Sequence, residues 1–151
     1  MFELLHGLSQ QEFKKLGEFI KSPYHNKSTN VIRLYDMLNK KYSIIREQNL
    51  SVEDISSFIY NEKGGDSSRV RSLISDFAKL VEKFLILTEW EKNEIYQKTL
   101  LLTSLNQRNI IRTFNSTLNE TLAVQEAEFN RDEDYYYNMI FLEVESFNYN
   151  L

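Results

Sequence analysis

The chain has 151 residues, 42% of them hydrophobic and 26% charged, with no cysteine, two histidines and a formal net charge of −4. The missing cysteines exclude disulfides, thiolate zinc sites, iron–sulfur clusters and cysteine nucleophiles, and two histidines leave almost no means of building a histidine metal site. The length suits one domain, which at this size buries roughly two-thirds of the surface of its unfolded chain.

Four glycines and a single proline are too few for the turns that a β-protein consumes, so the composition points to helix. Residues 1–8 carry Glu3 and no basic stretch ahead of an apolar run, which is not the pattern of a signal peptide. No stretch reaches the roughly eighteen apolar residues of a transmembrane helix. A cytoplasmic location without membrane contact is the expectation. Charge is uneven: residues 1–46 hold eight Lys or Arg against four acids, whereas residues 91–151 hold five against ten. The basic surplus is too scattered for a nucleic-acid footprint, and the acidic half repels phosphate.

The first helix is announced by Ser9-Gln10-Gln11-Glu12. This is a capping box, with Leu8 and Phe13 in the positions of a hydrophobic staple. Phe13, Leu16, Phe19 and Ile20 follow on one stripe. Ser22-Pro23 ends the helix, because proline keeps its predecessor out of helical backbone and has no amide to give. A second helix is expected over 29–41, capped by Ser28, with Val31, Leu34, Tyr35, Leu38 and Tyr42 at helical spacing. A third starts at Ser51. Leu50 and Ile55 stand in staple positions, Glu53 and Asp54 suit the first turn, and Val52, Ile55, Phe58 and Ile59 form the inner face.

Residues 61–66, with Gly64 and Gly65, break the chain. The strongest helix follows, capped by Asp66 or Ser67. Val70, Leu73, Ile74, Phe77, Leu80, Val81, Phe84 and Leu85 keep the 3.6-residue period over four turns. From Glu91 two more helical segments are expected, one through Ile95, Leu101, Leu102 and Leu105, the other through Ile110, Ile111, Phe114, Leu118 and Leu122. Residues 106–109 are their joint. A last helix, capped by Asp132, runs through Tyr136, Ile140 and Val144 without a C-cap glycine, which suggests a piece of a longer chain.

Chemistry is scarce. Gly64-Gly65 has no following lysine and reads as a turn rather than a phosphate loop. His25 sits in a turn with no histidine or carboxylate near it in sequence, and His6 is expected to be exposed. Asp132-Glu133-Asp134 is explained by the helix dipole. Glu126 with Glu128, and Glu143 with Glu145, are spaced so that they do not face each other, and they read as a solvated face. Tyr135-Tyr136-Tyr137 is more informative, since one helix stripe cannot bury three consecutive tyrosines. At least one must project outward, and tyrosine suits contact surfaces. Residues 51–87 also suggest a helix-turn-helix-like segment in which Arg69 and Arg71 would read DNA. Acids flank both arginines, and DNA affinity rests heavily on phosphate neutralisation.

Three blocks in order carry a resemblance. Leu8-Ser9 with Phe13, Phe19, Ser22-Pro23-Tyr24 and Asn26 comes first. Arg71-Ser72-Leu73-Ile74-Ser75-Asp76-Phe77 with Phe84-Leu85 comes second, and Arg131-Asp132 with the tyrosine run and Leu142-Glu143 third. Together they resemble an uncharacterised bacterial family of long all-helical proteins, of which this chain looks like the N-terminal part. The resemblance implies helical architecture and further sequence downstream, and it carries no catalytic residue.

The sequence therefore predicts an all-α fold, an irregular helical bundle continuing into antiparallel helical hairpins, with solenoid-like stacking an open alternative. Residues 1–88 form an N-terminal subdomain with Phe13, Leu34, Phe58, Leu73, Phe77 and Phe84 in its core. Residues 89–151 form a helical-hairpin extension. The function expected is a non-enzymatic protein-interaction or scaffold module with no catalytic, metal or cofactor residues. Tyr135, Tyr136 and Tyr137 are the contact residues toward a protein partner or a downstream part of the same chain. DNA binding through Arg69 and Arg71 is the alternative.

Overall fold

The computed structural model describes residues 2–40, 51–61 and 67–149. Among them the fold is all-α: eight helices and no strand. They are α1 (Phe2–His6), α2 (Gln10–Lys21), α3 (Thr29–Lys40), α4 (Val52–Tyr60), α5 (Ser67–Lys92), α6 (Glu94–Gln107), α7 (Ile111–Glu126) and α8 (Glu133–Tyr149). None of the described helices is long and apolar enough to cross a membrane. The chain divides into two compact units, 1–87 and 88–151, and the division falls within α5.

In the N-terminal unit the helix starts follow their capping chemistry. The Glu12 amide donates to Ser9 Oγ (3.2 Å), and the Ser9 amide donates to the Glu12 carboxylate (2.8 Å). Leu8 and Phe13, the staple pair, are both buried in one core. Ser51 and Asp54 form a second capping box. Ser28 Oγ accepts weakly from the Val31 amide at 3.4 Å. The turn after α2 is organised by Asn26, whose amide group donates to the carbonyls of Ile20 and Ser28 while its oxygen accepts from the Ser28 amide (2.8 Å). One side chain thus satisfies a helix-end carbonyl that α2 leaves open and shapes the approach to α3.

The core of this unit joins seventeen buried residues, from Leu5 and Leu8 through Phe13, Leu34 and Ile55 to Phe77 and Phe84. Phe58, expected inside, is 42% exposed. The inner stripe of α4 is buried Ile55, Ser56 and Ile59 with partly buried Val52, and Phe58 lies roughly 110° around the helix from its middle. Ser67 is the first residue of α5 rather than its cap. Tyr42, Leu50, Gly64, Gly65 and the alternative cap Asp66 lie outside the described residues.

One contact sets how α2 meets α3. Gly17 on α2 leaves room for the Tyr35 ring, and a Cβ there would overlap it. The Tyr35 hydroxyl donates to the Phe13 carbonyl one turn earlier (3.1 Å), and its ring stacks on Phe13 at 5.2 Å. Burial, followed by the nearby carboxylates of Asp36 and Glu18, holds the phenol above its ordinary value of 10.0. Outside this pair, Lys21 bridges to Asp36 at 2.8 Å.

The C-terminal unit is a three-helix bundle in which α6, α7 and α8 each pack on the other two. Asn93 starts α6 by accepting from the Tyr96 amide (2.9 Å), and Gln97 reaches back to the Trp90 and Glu91 carbonyls at the end of α5. The α6–α7 joint is residues 108–110, with Asn109 at φ 55. The core is small: Leu102, Leu105, Phe114, Leu118 and Leu142, with Leu122 packed against them. Buried Thr99 and Thr121 donate to carbonyls four residues earlier, which satisfies their hydroxyls without a neighbouring helix.

Two outcomes are expected from the Tyr35–Gly17 contact. Gly17→Ala gains some helix propensity but displaces the ring, so a net loss of ~1–3 kcal/mol is expected from the urea midpoint of the N-terminal unit. Because the folded phenol titrates above the unfolded one, the stability Tyr35 lends is complete below pH ~10 and is lost as pH rises through the folded value. Urea melts stepped through alkaline pH are expected to show a shallower decline for Tyr35→Phe than for the natural chain. At neutral pH this variant is expected to be less stable by ~1 kcal/mol.

Candidate interaction face

The three tyrosines at the start of α8 are placed by a side-chain cap. Asp132 Oδ1 accepts from the Tyr135 amide (3.0 Å), and Glu133 and Asp134 stand in the first turn, where acids favour the helix dipole. The inward face of α8 is Tyr135, Asn138, Met139, Leu142, Glu145 and Ser146, with Leu142 fully buried. Thr103 Oγ1 on α6 donates to the Glu145 carboxylate at 2.8 Å and fixes the rotation of α8 about its own axis. The same hydroxyl lies 3.1 Å from the Thr99 carbonyl, and a charged acceptor is the stronger of the two.

The expected stripe through Tyr136, Ile140 and Val144 is therefore the outer one: all three are about half exposed. Tyr137, Phe141 and Phe147 are exposed beside them. At about 100° per residue these six side chains cover one continuous side of the helix, opposite the buried one. Tyr135 and Tyr136 are in edge contact at 5.3 Å, and Arg131 lies over the Tyr135 ring. The tyrosine run is thus divided, with Tyr135 half-buried and Tyr136 and Tyr137 outward. The run was legible in the sequence. Its continuation through Phe141 and Phe147 was not singled out, although Phe141 lies four residues from Tyr137 and steps of three, four and three through Ile140 and Val144 reach Phe147.

Shallow grooves adjoin this bundle, two of which share Gln125. One, of about 670 Å³, lies between α6 and α7 and is lined by Glu94, Ile95, Lys98, Glu120, Val124 and Glu128 among others. The other, of about 260 Å³, lies at the start of α8 against Glu128, Asn130, Asp132 and Asp134. Gln125 lines both, and its Oε1 is buried with no hydrogen-bond partner. Among the described residues no group of three His, Asp or Glu is placed to hold a metal.

The remaining candidates lie in the N-terminal unit. Arg69 is exposed, and its guanidinium stacks over the Tyr60 ring at 4.6 Å, tying the start of α5 to the end of α4. Arg71 is exposed. The turn that would join them to a helix-turn-helix motif, 62–66, lies outside the described residues. Helix α5 carries five basic and four acidic residues, so its own charge offers little attraction for phosphate. His25 stacks on Phe19 at 4.0 Å and meets Tyr24 edge-on, the surroundings of a packing residue. His6 is exposed.

The two sides of α8 are expected to respond differently to mutation. Leu142→Ala should cost ~2–5 kcal/mol in denaturant melts, whereas Tyr137→Ser and Phe141→Ser should each stay within ~0.5 kcal/mol of the natural chain.

Comparison with family models, with curated proteins and with solved structures finds no match to this chain.

Proposed function

We propose that this chain is a non-enzymatic protein-interaction or scaffold module whose contact surface is the outer face of α8. The observation that supports this most is the contrast between the two units. Among the described residues, the N-terminal unit buries seventeen apolar side chains in its core and exposes three large ones. The C-terminal unit buries five and exposes thirteen. Scattered exposed apolar residues are ordinary on any protein, and a contiguous patch is what marks a contact site. Six of the thirteen form the single stripe on α8.

The composition of the stripe supports the same reading. Two tyrosines and two phenylalanines are the large, stiff side chains that gain contact area at low entropic cost. A helix that is apolar on both faces is ordinarily buried on both. The contact residues assigned are Tyr136 and Tyr137, extended by Ile140, Phe141, Val144 and Phe147. Tyr135 serves as a packing residue beneath them.

Site-specific photocrosslinking in the native host tests this. A photoreactive phenylalanine at position 137 or 141 is expected to give discrete adducts. The same probe at exposed Lys79 or Lys83 on α5 is expected to give none. Equal labelling from both sets of positions, or no adduct from either, overturns the proposal.

A further inference from the structure

We infer that the outer face of α8 receives a basic amphipathic helix, one whose apolar stripe is flanked by Lys or Arg. The inference rests on reading that face as a contact site and goes on to specify the partner. Its first support is register. Tyr137, Ile140, Val144 and Phe147 are spaced three, four and three residues apart, the a and d spacing of a two-heptad seam. Phe141 and Tyr136 widen the seam on either side. A 17-residue helix is about 25 Å long, enough for a partner helix to lie along it for about four turns.

Charge selects the partner. Helix α8 contains four acids, Glu133, Asp134, Glu143 and Glu145, and no Lys or Arg. Glu145 is turned inward to Thr103. Asp134 and Glu143 are exposed and flank the seam on opposite sides, at the positions that decide pairing between helices. Glu133 is exposed at the near end of the seam itself. Beside Asp134 the acidity continues into the groove lined by Glu128 and Asp132. A partner with cations on both flanks meets a carboxylate on each side.

A second copy of the chain does not fit this seam. Whether two α8 helices run parallel or antiparallel, the only charges along their flanks are carboxylates, so no attraction offsets bringing them together. Like charges brought together along an interface select against a partner. The apolar stripe therefore supplies contact area, and the acids on its edges reject self-pairing and admit a basic helix.

The test is titration calorimetry on the full chain with two synthetic helical peptides of three heptads. Both carry Leu at a and d, one with Lys and the other with Glu at e and g. Binding of the Lys peptide is expected at low salt, with the Glu peptide weaker by at least about tenfold. Raising the salt to about 0.5 M should reduce affinity for the Lys peptide by a similar factor, because the charges flanking the seam are exposed. Tyr137→Ser with Ile140→Ser should weaken binding by about tenfold while leaving every acid in place. Asp134→Asn with Glu143→Gln should weaken it and flatten the salt dependence while leaving the seam intact. Circular dichroism melts confirm that each variant is folded.

Equal binding of the two peptides overturns the proposal, as does an apolar double variant that binds like the natural chain, since that would be charge attraction alone. A chain that is dimeric by light scattering and made monomeric by Ile140→Ser with Phe141→Ser also overturns it, in favour of self-association. Adducts at positions 137 and 141 without binding of the Lys peptide would leave the contact face standing and remove only the basic helix. If both are absent, both proposals fall.

Discussion

The rotation of α8 about its own axis decides what the C-terminal unit can offer to anything else. A helix gives any pair of neighbours only part of its circumference, and α8 turns Leu142 into the space between α6 and α7. Glu145 reinforces the choice by accepting from Thr103, a bond that a rotation of one residue, about 100°, would break. With that face fixed, Tyr137, Ile140, Val144 and Phe147 have nowhere to go but outward. Their exposure follows from the inner seam and needs no separate cause.

The N-terminal unit shows what the same chain does when its apolar residues are matched to its helices. Tyr35 fits over Gly17, Phe19 meets Phe84 edge-on at 5.8 Å, and Asn26 closes the turn between α2 and α3. Its helices pack on one another closely enough that few large apolar side chains remain outside. The C-terminal unit has fewer large residues on its inner faces and fills part of the interior with threonine and Gln125. Its surplus of hydrophobic surface has been placed outside rather than lost from the sequence.

How much of this was legible in the sequence varies with how local the determinants are. The capping box at Ser9 and the cap at Asp132 depend on residues three apart and form as the pattern implies, while the helix start expected at Ser51 carries a capping box with Asp54 that the sequence reading did not single out. The long period from Val70 to Phe84 required only counting. Phe58 failed because Val52, Ile55, Ser56 and Ile59 make a better stripe, and a serine at a buried position conceals it. Which face of α8 is the inner one was left open by the sequence for a related reason. The helix has two apolar sides, and periodicity reports that stripes exist without saying which one a neighbour covers. Helix α5 runs on to Lys92, past the start expected at Glu91 for the next segment, and only Asn93 and Gln97 mark the joint. The packing of Tyr35 on Gly17 joins residues eighteen apart, and nothing local announces it.

The modest interior of the C-terminal bundle bears on the lifetime of the protein as well as on recognition. Stability rises roughly with apolar surface removed from water, and five buried side chains with back-bonded threonines leave a narrow margin. A unit close to that margin opens locally more often, and proteases act on the open form. Any helix seated on α8 would add its binding free energy to the folded state alone and close that route.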